Sequence, residues 1–426
     1  MWDTPIGAVS LPDDGDVATF AYTPEFQGSG KEIAPLMMPL GRRTFSFPEL
    51  PRRTFHGLPG LLADSLPDRY GNLLIDAWLA SQGRLGGSFN AVERLCYTGS
   101  RGMGALEFAP AEGPNLGAVA RVDVGALVEL ASEVLSHRAD LQVSFAGKDK
   151  ADGLRDILRV GTSAGGARAK AVIAWNRETN EVRSGQVAAG EGFGYWLLKF
   201  DGVTDNRDKE LADPKGFGAV EYAYSKMARA AGIAMTDTHL LEENGRRHFM
   251  TERFDRLPGG GKLHVQTLTA MAHFDFNNPL GYAYEQAMLV IRQLRLPTET
   301  VEEQYRRMVF NVVARNQDDH VKNISFLMDR TGAWSLSPAY DITWSFNPTG
   351  EWTHRHQMSV NGKRDGFERA DFEAAAKSAS LNAARARKIV EEVREAVAAW
   401  PSFADAAKVG ESLRRQIDPT LRLTWD

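Results

Sequence analysis

The stretch Arg315-Asn316-Gln317-Asp318-Asp319-His320-Val321-Lys322-Asn323 decides how this chain reads. It follows a long amphipathic run in which Val301, Tyr305, Met308, Val309 and Val312 recur at the spacing of one helical face. Glu302 with Arg306 and Glu303 with Arg307 form i,i+4 pairs expected on the outer face of that helix. Two short apolar runs, 324–328 and 333–336, then predict a hairpin, and Pro338-Ala339-Tyr340-Asp341-Ile342 comes after it. Four residues stand between Asp318 and Asn323, a spacing that Asp319 does not share. Any one of Asp318, Asn323 and Asp341 alone is explained better as a loop cap, because Asp and Asn favour local hydrogen bonds there. Together, with a hairpin between them, they favour chemistry.

The chemistry that needs this set is phosphoryl transfer. A carboxylate must orient a hydroxyl nucleophile, and oxygen ligands must hold Mg²⁺ on the triphosphate of ATP. Protein kinases use an Asp, four residues, an Asn, a hairpin and a second Asp for those tasks. That order assigns Asp318 as the base, Asn323 as a metal ligand and Asp341 as the main Mg²⁺ carboxylate. The usual His-Arg before the base is absent, and Ile342-Thr343 stands where Phe-Gly ordinarily follows the metal carboxylate. An atypical kinase is the expectation. His320 is a candidate to steady the loop or to meet phosphate, and Lys322 to screen charge on the transferred group; a structural role is equally open for each.

Upstream lies the other wall of a nucleotide site. Gly161-Thr162-Ser163-Ala164-Gly165-Gly166-Ala167-Arg168-Ala169-Lys170 leads into the apolar run 171–175, so a loop and then a strand are expected. Glycines let backbone N–H groups approach phosphates, and Gly165, Gly166, Arg168 and Lys170 suit that task. With 40 glycines in the chain the cluster is a weak signal by itself, and it is no Walker A motif. A polar turn is expected over 176–184, followed by a strand over 195–200. Alternation puts Lys199 on a mostly apolar strand face with Tyr195 and Leu197, where it wants an anion; the plainer reading is a strand-end lysine in solvent beside Asp201. The next helix carries Val220, Tyr224, Met227 and Ala231 on one face, and its Glu221 is a candidate partner for Lys199. A third strand, 247–254, ends in Thr251-Glu252-Arg253-Phe254-Asp255-Arg256, placed for an adenine ring to meet backbone groups and Phe254.

The rest bounds the class. Of 426 residues, 43% are hydrophobic and 25% charged, an ordinary globular balance, and the length predicts two or three domains. A net charge of −5 gives no basic field for nucleic acid, so direct binding is not expected. The lone cysteine, Cys96, fits a reducing compartment. Met1-Trp2-Asp3-Thr4-Pro5 lacks a basic-then-apolar leader and no run reaches the ~18 apolar residues of a membrane span, so the expectation is a cytoplasmic protein with no membrane partner. Short runs at 6–11 and 17–22 predict a hairpin, 61–80 turns helical, and amphipathic helices are expected at 125–137 and 381–400, the last with Ile389, Val393, Ala396, Val397 and Trp400 inward.

Phe20-Ala21-Tyr22, Met38-Pro39-Leu40, Leu66-Pro67-Asp68-Arg69-Tyr70-Gly71-Asn72, the 165–170 loop, Leu198-Lys199-Phe200, Glu252-Arg253-Phe254-Asp255-Arg256, Asp318 to Asn323 and Tyr340-Asp341 together resemble the HipA family, the kinase toxins of bacterial toxin–antitoxin pairs. The resemblance implies an α+β, two-lobed protein-kinase-like fold: a β-rich N-terminal subdomain over 1–114, a kinase-like N-lobe over 115–257 and a mostly helical catalytic lobe over 258–426. It implies ATP and Mg²⁺ as cofactors, Lys199 on the phosphates, Glu252 and Phe254 at the adenine, and autophosphorylation of Ser163. It also implies serine/threonine kinase action on a translation component such as an aminoacyl-tRNA synthetase, a role in persistence, and a DNA-binding antitoxin of the HipB type as partner. The segments 264–269 and 274–284 depart from better-known members. Two other classes stay open: a small-molecule kinase sharing the core, against which the N-terminal region and Ser163 speak, and a non-catalytic partner of a DNA-bound antitoxin.

Overall fold

The computed structural model describes residues 1–114, 121–136, 157–158, 160–161, 168–203 and 215–425. By compactness the chain divides into two units. The first contains residues 1–31, 40–218 and 238–265, and the second 32–39, 219–237 and 266–426.

The first unit holds the hairpin β1 (Gly7–Ser10) and β2 (Thr19–Tyr22), paired antiparallel. Its main element is a five-stranded antiparallel sheet of β3 (Lys170–Trp175), β4 (Val182–Ser184), β5 (Gly194–Lys199), β6 (Thr238–Glu243) and β7 (Arg246–Glu252), in the order β4-β3-β5-β7-β6. All six residues of β3 are buried, which is why the five after Lys170 read as a continuous apolar run. The helices Arg69–Ser81 and Val124–Ser136 bury Leu74, Ile75, Leu127 and Ala131 in the same core as Ile173, Trp196, Leu198 and Met250. Pro67 and Asp68 set the start of the first of these helices: Asp68 is its N-cap and its Oδ1 accepts from Gly71 N at 2.6 Å. The polar turn expected over 176–184 is shorter than that, because Val182–Ser184 pairs back onto β3.

The chain crosses from the first unit to the second within β8 (His264–Thr267). The second unit is mostly helical. Helix Thr298–Val313 buries Val301, Tyr305, Met308, Val309 and Val312 as its periodicity requires. Its other face is not solvated as expected. Helix Ala383–Ala398 supplies Glu392, which takes Arg306 at 2.7 Å, and Arg385, which takes Glu302 at 2.9 Å, so Glu302 and Arg306 are each drawn to a neighbouring helix. Only Arg307 keeps its i,i+4 partner Glu303, at 2.8 Å, and both arginines are buried. Ile389, Val393, Val397 and Trp400 point inward. The hairpin β10 (Ser325–Met328) and β11 (Trp334–Leu336) follows the decisive stretch, and β9 (Tyr282–Ala283) pairs parallel with β12 (Met358–Ser359). Among the described residues no helix is long and apolar enough to cross a membrane.

Candidate active site

In the second unit the helix Thr298–Val313 stops at Ala314, and Arg315 turns the chain with a left-handed φ of 55°. The emerging loop is pinned to the segment after the hairpin: Gln317 N donates to Ser345 O at 3.1 Å and Ser345 N to Arg315 O at 3.0 Å. A single 3₁₀ turn, Val321–Asn323, then delivers Asn323. Tyr340 Oη donates to the Lys322 carbonyl at 2.7 Å, which ties the loop to the residue before Asp341. Asp341 has φ 53°, a left-handed conformation that Asp adopts more readily than most side chains. His320, Asn323 and Asp341 line one cavity of this unit.

The two adjacent aspartates have opposite environments. Asp319 is fully buried and accepts three hydrogen bonds, from Tyr284 Oη at 2.7 Å, His356 Nδ1 at 2.7 Å and Gln357 N at 2.8 Å. Asn311 extends this set by donating to Tyr284 Oη at 2.9 Å, and Asn316 by donating to Asn311 Oδ1 at 2.9 Å. Burial pushes the Tyr284 phenol far above its usual range, with the Asp319 charge adding to it. The Asp318 side chain is 49% exposed, and its Oδ1 accepts from Gln357 Nε2 at 2.7 Å. Such an arrangement suits Asp319 to hold the loop and Asp318 to meet a ligand.

Asn323 Nδ2 donates to the Asp318 carbonyl at 2.9 Å, which leaves Oδ1 as the amide end available to a cation. With the Asp341 carboxylate on the same cavity, the donors are hard oxygens, the type Mg²⁺ takes, and Mg²⁺ needs only one or two carboxylates because it keeps waters. Among the described residues no three His, Cys, Asp or Glu side chains gather into a metal cluster, so a metal here would lean on Asn323, Asp341 and ligand oxygens. His320 Nε2 is 3.9 Å from Asp318 Oδ1, too far for a hydrogen bond, and its buried Nδ1 has no partner among the described residues. Lys322 Nζ lies 4.8 Å from the Phe276 ring centroid, and the His320 ring is 5.9 Å from the same phenyl.

The first unit carries the remaining candidates. Lys199 is buried at the end of β5, 5.8 Å above the Phe249 ring, so it does not emerge into solvent beside Asp201. Asp201 is itself buried and accepts from Gly216 N at 2.9 Å. Register places Lys170 directly opposite Lys199 across β3 and β5, a juxtaposition of like charges that calls for an anion. Asp68 supplies one, holding Lys170 Nζ at 3.2 Å with both side chains buried. Arg168 is buried over the Phe217 ring at 5.5 Å. Glu252 ends β7 opposite Trp196, half-buried, and Phe254 follows it, half-buried as well. Arg253 and Arg256 both pair with the fully buried Asp255, at 2.7 and 2.6 Å. Ser163, Gly165, Gly166 and Ala167 lie outside the described residues. Glu221, buried, belongs to the second unit.

Sequence reasoning overlooked Tyr284, His356, Gln357, Arg422 and Phe276. Phe276 and Tyr284 fall inside the segment that departs from the family, and the others carry no local pattern at all.

Comparison with known proteins addresses the family and the fold. The model of the HipA-like C-terminal domain matches residues 162–400, and that of the HipA N-terminal domain matches residues 1–109. Y4dM of Sinorhizobium fredii (strain NBRC 101917 / NGR234), a protein named provisionally as a kinase, is 25% identical over 261 residues, 55% of this chain. The match spans 57% of that relative's own length. Among solved structures, a chain of the Shewanella oneidensis MR-1 toxin–antitoxin system HipA, HipB and its operator DNA complex superposes with a TM-score of 0.64 at 16% identity, covering 97% of this chain and 92% of that one. The fold is accordingly the two-lobed, kinase-like α+β fold.

Proposed function

The chain belongs to the HipA family, and on that premise we propose that it is an ATP- and Mg²⁺-dependent serine/threonine protein kinase, the toxin of a toxin–antitoxin pair. The observation that carries this reading is the split between neighbours: Asp319 is locked by three donors while Asp318 offers a half-exposed carboxylate, its backbone carbonyl taken by the Asn323 amide. Asp318 would take the proton of a serine or threonine hydroxyl. Asn323 and Asp341 would hold Mg²⁺, whose part is to neutralise and orient the phosphates. Lys199, Arg168 and the 163–167 loop would receive the phosphates, Lys170 would stand behind them on Asp68, and Glu252 and Phe254 would flank the adenine. His320 and Lys322 would meet the transferred group.

The substrate we propose is a protein of the translation apparatus such as an aminoacyl-tRNA synthetase, and the partner a DNA-binding antitoxin of the HipB type, since HipB and operator DNA accompany HipA in the Shewanella complex. The proposed domains are 1–114, 115–257 and 258–426, in a cytoplasmic protein. Phosphate on Ser163 would add about −1.5 to −2 charges to a loop that must cradle anions, and would silence the enzyme.

Mass spectrometry of the protein incubated with Mg²⁺ and ATP, beside Asp318→Asn, tests the reading. The expected result is phosphate on Ser163 in the unaltered chain, with the rate lowered about 10²–10⁴-fold in the variant. No phosphate on the chain or on any added protein would leave the non-catalytic partner or the small-molecule kinase as the better account. Full activity of homogeneously Ser163-phosphorylated protein would remove the self-inactivation.

A further inference from the structure

Asp318 is held from a distance of 39 residues in sequence. Gln357 Nε2 donates to its Oδ1 at 2.7 Å, and Gln357 is 5% exposed, so the amide is a built part of the site. The backbone N–H of the same residue donates to Asp319 Oδ1 at 2.8 Å, and His356 Nδ1 meets Asp319 Oδ2 at 2.7 Å. One dipeptide thus holds both aspartates. The dipeptide is fixed in turn on two sides. The pairing of β12 with β9 begins at the next residue, Met358. On the other side Arg422 Nη1 faces His356 Nε2 at 2.9 Å. A guanidinium has donors only, so Nε2 accepts and the ring hydrogen sits on Nδ1, aimed at Asp319. Arg422 is anchored by Asp365 and donates to the Val312 carbonyl at 3.2 Å.

A free carboxylate rotates broadly about its last torsion and presents either oxygen. Resting on the kinase reading above, we propose that Gln357 is a positioning residue for phosphoryl transfer: it engages Oδ1 of Asp318 and so turns Oδ2 toward the attacking hydroxyl, with His356 and Arg422 fixing the backbone from which it reaches. In that step the hydroxyl oxygen forms its bond to the γ-phosphorus of ATP. The bond from that phosphorus to the β,γ-bridging oxygen breaks, ADP leaves with the electron pair, and the hydroxyl proton passes to Oδ2. The base works only with its free oxygen about 2.6–3.2 Å from that proton's oxygen, and misplacement by about 1 Å costs on the order of 10²-fold.

The test uses the full chain with Mg²⁺ and ATP and follows phosphate incorporated into the protein itself. Gln357→Leu removes the donor, and Gln357→Glu keeps the shape while setting a carboxylate against Asp318. Both are expected to lower the maximal rate constant of self-phosphorylation about 10–10²-fold with the half-saturating ATP concentration and the thermal midpoint unchanged. Should Gln357→Leu fail to fold, the near-isosteric Gln357→Glu decides. A wild-type maximal rate in either folded variant, or a rise in the half-saturating ATP concentration with that rate intact, overturns the assignment while the kinase reading stands, provided Asp318→Asn is silent. A wild-type chain as inactive as Asp318→Asn removes the kinase reading and this assignment with it.

Discussion

Replacing Asp318 and Asp319 by alanine one at a time should produce opposite defects. Asp319→Ala strands three buried donors, on Tyr284, His356 and Gln357. Each unsatisfied buried donor costs about 1–3 kcal/mol, and relaxation keeps the sum near the roughly 3–5 kcal/mol typical of breaking a buried charged network. Asp318→Ala gives up one hydrogen bond on a half-exposed side chain and should cost at most about 1 kcal/mol. The readout is native-state hydrogen exchange at the amides of Gln317, Asn323 and Ser345, whose hydrogen bonds close this loop. Asp319→Ala should speed their exchange by roughly two to three and a half decades, and Asp318→Ala by less than about one. Autophosphorylation measured alongside should vanish in Asp318→Ala although its loop stays closed. Equal opening of the loop in the two variants would refute the division of labour.

Two further outcomes concern the first unit. Burial alone would raise the Asp255 pKa, but Arg253 and Arg256 outweigh it and bring the group down to about 2. A depressed carboxylate contributes stability above its unfolded value near 3.8 and loses it as pH falls toward 2, so acid should remove about 2 kcal/mol across that window; an Asp255→Asn variant whose unfolding free energy falls as steeply there would count against it. Removing either member of the buried Lys170–Asp68 pair should cost about 3–5 kcal/mol in denaturant unfolding. The double variant Asp68→Asn/Lys170→Met should recover part of that, because no lone charge remains, and strictly additive losses would contradict the pairing.

The parts of the fold legible in the sequence are those whose burial leaves a local signature. β3 is apolar from Ala171 to Trp175 because both faces are covered, and helix Thr298–Val313 shows its stripe because one face packs on the unit's core. The two strands of the five-stranded sheet that the reading overlooked or took for a turn, β4 and β6, are its two edges. Edge strands are short or charged so that they do not recruit another chain, and that same composition disguises them as loop: Val182-Arg183-Ser184 and Thr238-His239-Leu240-Leu241-Glu242-Glu243 carry polar residues at half their positions or more. The outer face of helix Thr298–Val313 went astray for a related reason. Arginines that pair with glutamates read as solvated wherever they are, and only the arrival of helix Ala383–Ala398 decides that Arg306 is covered.

The same asymmetry runs through the site. Chemistry limits which residue types can serve as base or metal ligand and how far apart they stand, so Asp318, Asn323 and Asp341 stand out by spacing. Holding such groups imposes no such limit, since any donor from any element will do. Asp319 is held by residues 35 and 37 to 38 positions downstream or upstream, and the guanidinium that fixes the tautomer of His356 comes from 66 positions further along. Each link is a single contact of ordinary residues with no periodicity and no motif. What separates two adjacent identical side chains is therefore the number of donors that reach each: among the described residues three reach Asp319 and immobilise it, while a single amide reaches Asp318, at one of its two oxygens. A buried carboxylate with both oxygens already engaged by protein donors is a poor base, which leaves that part to the exposed Asp318.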